Sequence, residues 1–120
     1  MKVKIRKMYL VLSILSVFIF STISFSQVIL YQPIGDEAIT VTDSVTSLTA
    51  ATYSGANRAY CGPLETAQIR YRITGDSPTT TVGHLLEVGQ DLVLYGREIA
   101  NFRSIRTGAN SGTIYCTYEK

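Results

Sequence analysis

His84 is the single histidine of the chain. Alone it can neither act as a general base nor hold zinc, because both jobs need partner groups around the ring. Placed between Gly83 and Leu85, it reads as a turn or sheet-edge residue. Glu87 and Asp91 are the carboxylate pair that invites a glycosidase reading. They straddle Gly89 at an expected hairpin turn, where solvated charges are the simpler account. An acid-rich calcium loop needs several oxygens at alternating positions, and Gly75-Asp76-Ser77 supplies one carboxylate. Neither G-x-S-x-G nor H-E-x-x-H occurs. The sequence therefore offers no catalytic residue, no metal ligand set and no cofactor motif, and an enzyme is not expected.

Cys61 and Cys116 are the only cysteines. In an oxidising compartment an even count without a competing ligand pattern points to a disulfide, the alternative being two buried thiols that never meet. The bridge would close a loop of about 55 residues, worth on the order of 4 kcal/mol in the chain-entropy model. Eight tyrosines and no tryptophan are present. Tyr9 falls in the N-terminal segment; Tyr31, Tyr53, Tyr60, Tyr71, Tyr95, Tyr115 and Tyr118 remain. Aromatic residues on a sheet face with arginine nearby can bind a sugar or a protein. Tyrosine is also a plain strand former, and that reading comes first.

These residues need elements to position them. Lys2, Lys4, Arg6 and Lys7 form a basic start, Met8 to Phe20 is apolar apart from Ser13 and Ser16, and Ser24 and Ser26 stand at −3 and −1 of a cut before Gln27. Residues 1–26 thus read as a signal peptide. The alternative is an uncleaved anchor, since Met8 to Phe25 is about 18 residues, the lower limit for crossing a bilayer of roughly 30 Å. The small residues favour cleavage. In either case the domain faces out, and a membrane is met only through this segment. Removing the four basic residues of the signal leaves seven cations against nine acids, a net charge of −2. The basic balance belongs to the signal, and nucleic acid is not an expected partner.

Beyond the signal, residues 27–46 read as an exposed lead-in, Gln27 to Gly35, and a first strand, Ala38–Thr42. Residues 47–120 read as the sandwich core. Further β-type runs are expected at Ser47–Tyr53, Arg58–Cys61, Ala67–Thr74, His84–Val88, Asp91–Tyr95 and Thr113–Tyr118, with one helical turn at Arg97–Asn101. In Ala67–Thr74 the alternation is unbroken: Ile69, Tyr71 and Ile73 face a core while Arg70 and Arg72 face solvent or a partner. About seven short strands with turns every ten residues or so predict an all-β fold, a small Ig-like or jelly-roll-like β-sandwich preceded by a signal helix. If the cysteines pair, the Arg58–Cys61 strand and the last strand lie close together.

The segments Ile69–Arg72, Pro78–Leu86, Gly89–Leu94 and Ile99–Arg106, taken in order, resemble small uncharacterised β-sandwich proteins encoded beside the structural genes of tailed phages and prophages. The resemblance spans about 70 residues and implies a virion component of a head or tail surface, with no catalytic residues to transfer. A signal peptide and paired cysteines depart from it, because phage particles assemble in the cytoplasm. The expected function is an exported (periplasmic, cell-surface or extracellular), non-enzymatic structural or adhesive protein. It would act through protein–protein contacts or self-assembly, with Arg70 and Arg72 as the interaction face. The alternatives are a phage virion protein and a small carbohydrate-binding module.

Overall fold

The computed structural model describes residues 29–120. The expected signal peptide, residues 1–26, lies outside them. Seven strands, β1 (Pro33–Val41), β2 (Arg58–Cys61), β3 (Ile69–Arg72), β4 (His84–Leu86), β5 (Leu92–Tyr95), β6 (Arg103–Arg106) and β7 (Gly112–Glu119), are joined by two helical turns, α1 (Ala50–Tyr53) and α2 (Arg97–Asn101). They form two antiparallel sheets, one in the order β1-β7-β2-β5 and one in the order β4-β3-β6. This is a small β-sandwich.

β7 shows most directly how the sequence produces the core. Gly112, Ile114, Cys116 and Tyr118 point inward and are buried, while Thr113, Tyr115, Thr117 and Glu119 point outward, the period of two that a half-buried strand requires. Ile39 and Val41 of β1, Ala59 and Cys61 of β2 and Leu94 of β5 line the same interior. Ile69, Leu86 and Phe102 close it from the other sheet. Tyr71 stacks on Phe102 with ring centroids 5.9 Å apart. Ser104 of β6 also faces inward, and its hydroxyl donates to the Thr46 carbonyl at 3.2 Å, so a polar group in the core keeps a partner.

The sheets are also stitched by backbone. Beyond β1 the chain leaves the four-stranded sheet, and Thr46 pairs with Ser104 on the free edge of β6. Thr42 accepts the Arg106 amide in the same stretch. The segment 42–46 therefore covers an edge that would otherwise present unpaired donors and acceptors.

Two expectations need correction. Ser47–Tyr53 is not a strand. Leu48 turns into the core, and Ala50–Tyr53 closes a helical turn in which the amides of Thr52 and Tyr53 both bond the Thr49 carbonyl. Its alanines favour helix over strand, and Gly55 at φ +83° carries the chain out of it. The first strand is also longer than Ala38–Thr42. It begins at Pro33, with a bulge between Pro33 and Gly35 that absorbs both breaker residues without ending the pairing to β7. Residues 29–34 are exposed all the same.

Candidate functional site

Cys61 and Cys116 are disulfide-bonded. They stand directly opposite each other on β2 and β7, and the Gly62 amide bonds the Tyr115 carbonyl one step along. The cysteines thus occupy a narrow, non-hydrogen-bonded pair, where side chains approach most closely. Both are buried. A buried bridge between neighbouring strands fits an oxidising environment.

Arg70 and Arg72 share the outer face of the three-stranded sheet, as the alternation of β3 predicts, but each is occupied by its own loop. Arg70 donates to the carbonyls of Thr80 at 3.1 Å and Gly83 at 2.8 Å. Arg72 pairs with Asp76 at 3.1 Å, and Asp76 also accepts the Thr74 hydroxyl. The partners are residues of the 74–83 loop, not Glu87 or Asp91. His84 is exposed on the edge strand β4, beside Tyr71. Among the described residues no group of histidines, cysteines and carboxylates is placed to hold a metal.

The bridge fixes a second arrangement on the opposite side of the four-stranded sheet. When Cys61 and Cys116 point inward, their neighbours Tyr60 and Tyr115 must point outward. Tyr60 lies opposite Val93 of β5 and Thr117 of β7, while Tyr95 is two residues beyond Val93 and Tyr115 two residues before Thr117. Strand direction places these offsets on opposite sides of Tyr60. Tyr95, Tyr60 and Tyr115 therefore lie on one diagonal across β5, β2 and β7, each step being a diagonal neighbour distance of roughly 7–8 Å. Their exposures are 53%, 37% and 50%.

Two of the rings are held. The Tyr60 hydroxyl donates to Asp91 at 2.9 Å, and the Tyr115 hydroxyl donates to Asp36 at 2.6 Å. These hydrogen bonds to carboxylates raise both phenol pKa values above the ordinary tyrosine range. Asp91 comes this close to β2 because the facing residue is Gly62, where a Cβ would fall 2.5 Å from an Asp91 carboxylate oxygen. Arg58 lies next to Tyr95, bonds Glu119 of β7 and carries the Tyr31 ring 4.5 Å over its guanidinium. Partial desolvation opposes its charge, but the bonds to Glu119 and Tyr95 outweigh that and raise its pKa. No pocket opens anywhere in the described surface. The face is a strip of half-exposed rings bordered by carboxylates, without a concavity to enclose a small molecule.

The tyrosines were visible as a class in the sequence, but their alignment was not. The signal that would have found two of them is their position, each immediately before a cysteine of the pair. No protein-family model, curated protein or solved structure matches this chain.

Proposed function

We propose that the chain is an exported, non-enzymatic structural or adhesive surface protein that works by contact, and that the contact face is the outer side of the four-stranded sheet. The single observation that supports this is the diagonal of Tyr95, Tyr60 and Tyr115, two of its rings tied at the hydroxyl. Tyrosine and arginine are enriched where surfaces dock. A ring already held gives up little rotamer freedom on binding. Export is supported by the basic, apolar and small-residue order of residues 1–26 and by the buried bridge. The Arg70 and Arg72 face, expected from sequence to be the docking side, is the weaker candidate because both guanidinium groups hold their own loop.

The test is adhesion of the purified domain to the surface of its native cells. A variant with serine at Tyr60, Tyr95 and Tyr115 should fold with the wild-type circular dichroism spectrum and fail to adhere. Adhesion equal to wild type by the folded triple variant rules out this face. A chain recovered only inside the cytoplasm rules out the exported part.

A further inference from the structure

Resting on this contact-face reading, we infer that the ligand of the tyrosine diagonal is a neutral, extended polysaccharide chain. The first reason is the repeat. Three residues of one type recur at the same register offset from strand to strand, along a diagonal of three strands. An evenly spaced row of identical groups matches a ligand that is itself a repeat. A folded protein surface presents irregular groups and is held mainly by a few anchors seated in pockets, and this face has none.

The second reason is chemical complementarity. The face of an aromatic ring carries negative potential, and the C–H bonds on one side of a pyranose are the positive, apolar counterpart. Asp36 and Asp91 each give one oxygen to a tyrosine hydroxyl. Both are exposed, and a carboxylate has further lone pairs to offer. The carboxylates beside the rings therefore keep acceptor capacity, which suits a ligand rich in hydroxyl donors. The third reason is charge. Arg58 is matched by Glu119, while Asp36, Asp91 and Glu98, which bond Tyr115, Tyr60 and the Tyr95 amide, make no ion pair among the described residues. They repel uronate or sulfated chains and tolerate neutral ones.

The experiment is depletion of the full mature chain from solution by microcrystalline cellulose, by chitin and by a soluble neutral β-glucan, beside alginate as an anionic control. At least one neutral polymer should retain the protein, alginate should not, and salt should change retention little. Replacing Tyr60, Tyr95 or Tyr115 singly by alanine should weaken retention about threefold to tenfold each, the range of one aromatic contact. Tyr60→Phe keeps the ring and should lose less than Tyr60→Ala. Oligosaccharides should bind more tightly as they lengthen, until they cover all three rings.

Retention by none of the neutral polymers, or retention that the alanine variants leave intact, overturns the glycan assignment. The same variants on native cells separate the two levels. If periodate oxidation of cell-surface sugars leaves adhesion in place while the tyrosine variants abolish it, the partner is a protein and only the glycan assignment falls. If the variants adhere as wild type does, the contact face falls with it.

Discussion

Tyr118 of β7 donates its hydroxyl to the carboxylate of Glu37 on β1, a side-chain contact between residues 81 positions apart in sequence. Tyr118 is fully buried and its ring meets Tyr53 edge-on, centroids 6.1 Å apart. Glu37 also accepts the Thr49 amide at 2.9 Å, tying the start of α1 to β1. One carboxylate thus joins the first strand, the last strand and the segment between the sheets.

That contact makes stability depend on acid. Burial pushes the Glu37 pKa up, but the hydrogen bonds from Thr49 and Tyr118 outweigh it and hold the carboxyl below its ordinary 4.5. A carboxylate with a depressed folded-state pKa contributes stability that is present above its unfolded value and is lost as pH falls through the folded one. The melting temperature should therefore drop as the solution is taken below pH 4.5. Glu37→Gln should cost about 1.5–3 kcal/mol at neutral pH, the scale of a hydrogen bond to a charged group, and should flatten the acid limb. Thermal melts of both proteins between neutral and acid pH would show it; parallel acid limbs would assign the effect elsewhere.

Alkali acts on the same contact with the opposite sign. Burial first, and the bond to Glu37 second, raise the Tyr118 pKa far above its ordinary 10.0. Its neutral form is required by the fold, so its contribution holds below the unfolded value and fades as pH rises beyond it. Tyr118→Phe keeps the ring, removes the ionisable group and should unfold at higher pH than wild type. Tyrosinate absorbance and circular dichroism followed together through the alkaline transition decide this.

Loss of the bridge should destabilise the domain by about 2–5 kcal/mol, as removal of a native disulfide does in small secreted domains. The comparison is urea unfolding of wild type, oxidised and reduced, with Cys61→Ala/Cys116→Ala. Because the cysteines already face each other in a strand pair, the sheet order should survive while the midpoint falls. The urea slope should rise, since opening the loop lets the unfolded chain expand; an unchanged midpoint would mean that the strand pairing alone holds this junction.

Arg70 and Arg72 should differ, although the alternation of β3 makes them equivalent. Arg70 ties two loop carbonyls, one bond partly buried, and Arg70→Ala should cost about 1–3 kcal/mol, because charge-assisted hydrogen bonds are lost. Arg72 makes an exposed ion pair four positions along the chain, and Arg72→Ala should cost about 0–1 kcal/mol. Amide exchange at Thr80 to Gly83 should quicken in the first variant and not in the second. Equal effects would mean that the loop is held by something other than Arg70.

Gly112 starts β7 at a place with no room for a methyl group. A Cβ there would stand 2.7 Å from the Ala67 carbonyl oxygen and 2.7 Å from an Ile69 methyl. Gly112→Ala should destabilise by about 1–3 kcal/mol through overpacking, despite alanine's lower entropy cost on folding. Denaturant unfolding measures it, and an unchanged midpoint would show that the backbone yields.

The fold was legible wherever one face of a strand meets the core and the other meets water. β3 and β7 carry that alternation openly, and the helical turn at Arg97–Asn101 and the β2–β7 proximity followed from local pattern and cysteine count. α1 was hidden because Leu48 and Tyr53 suit a strand as well as a helix and two alanines decide little over so short a stretch, so that the tertiary position of Leu48 decides between them. The start of β1 was hidden because Pro33 and Gly35 are breakers in isolation, and a bulge is a property of the partner strand as much as of the residues. The tyrosine diagonal was out of reach for a different reason. A row across strands depends on register, and register is set by pairings between residues far apart in sequence. The arginines of β3 were legible as to face but not as to occupancy, since the carbonyls they bind belong to a loop whose path no periodicity encodes.

The strand order has a mechanical consequence. β1, the first strand of the described residues, pairs along its length with β7 through eight residue pairs. A pull directed along the strands from its start meets those pairs in parallel, as shear, instead of opening them one by one. From β7 the load passes to β2, which carries Tyr60, through a covalent sulfur–sulfur link as well as hydrogen bonds. The front of β1 and Tyr60 are thus joined by a path whose second step cannot slip. Under tension along the strands the domain should yield first at the β1–β7 junction, not between β7 and β2.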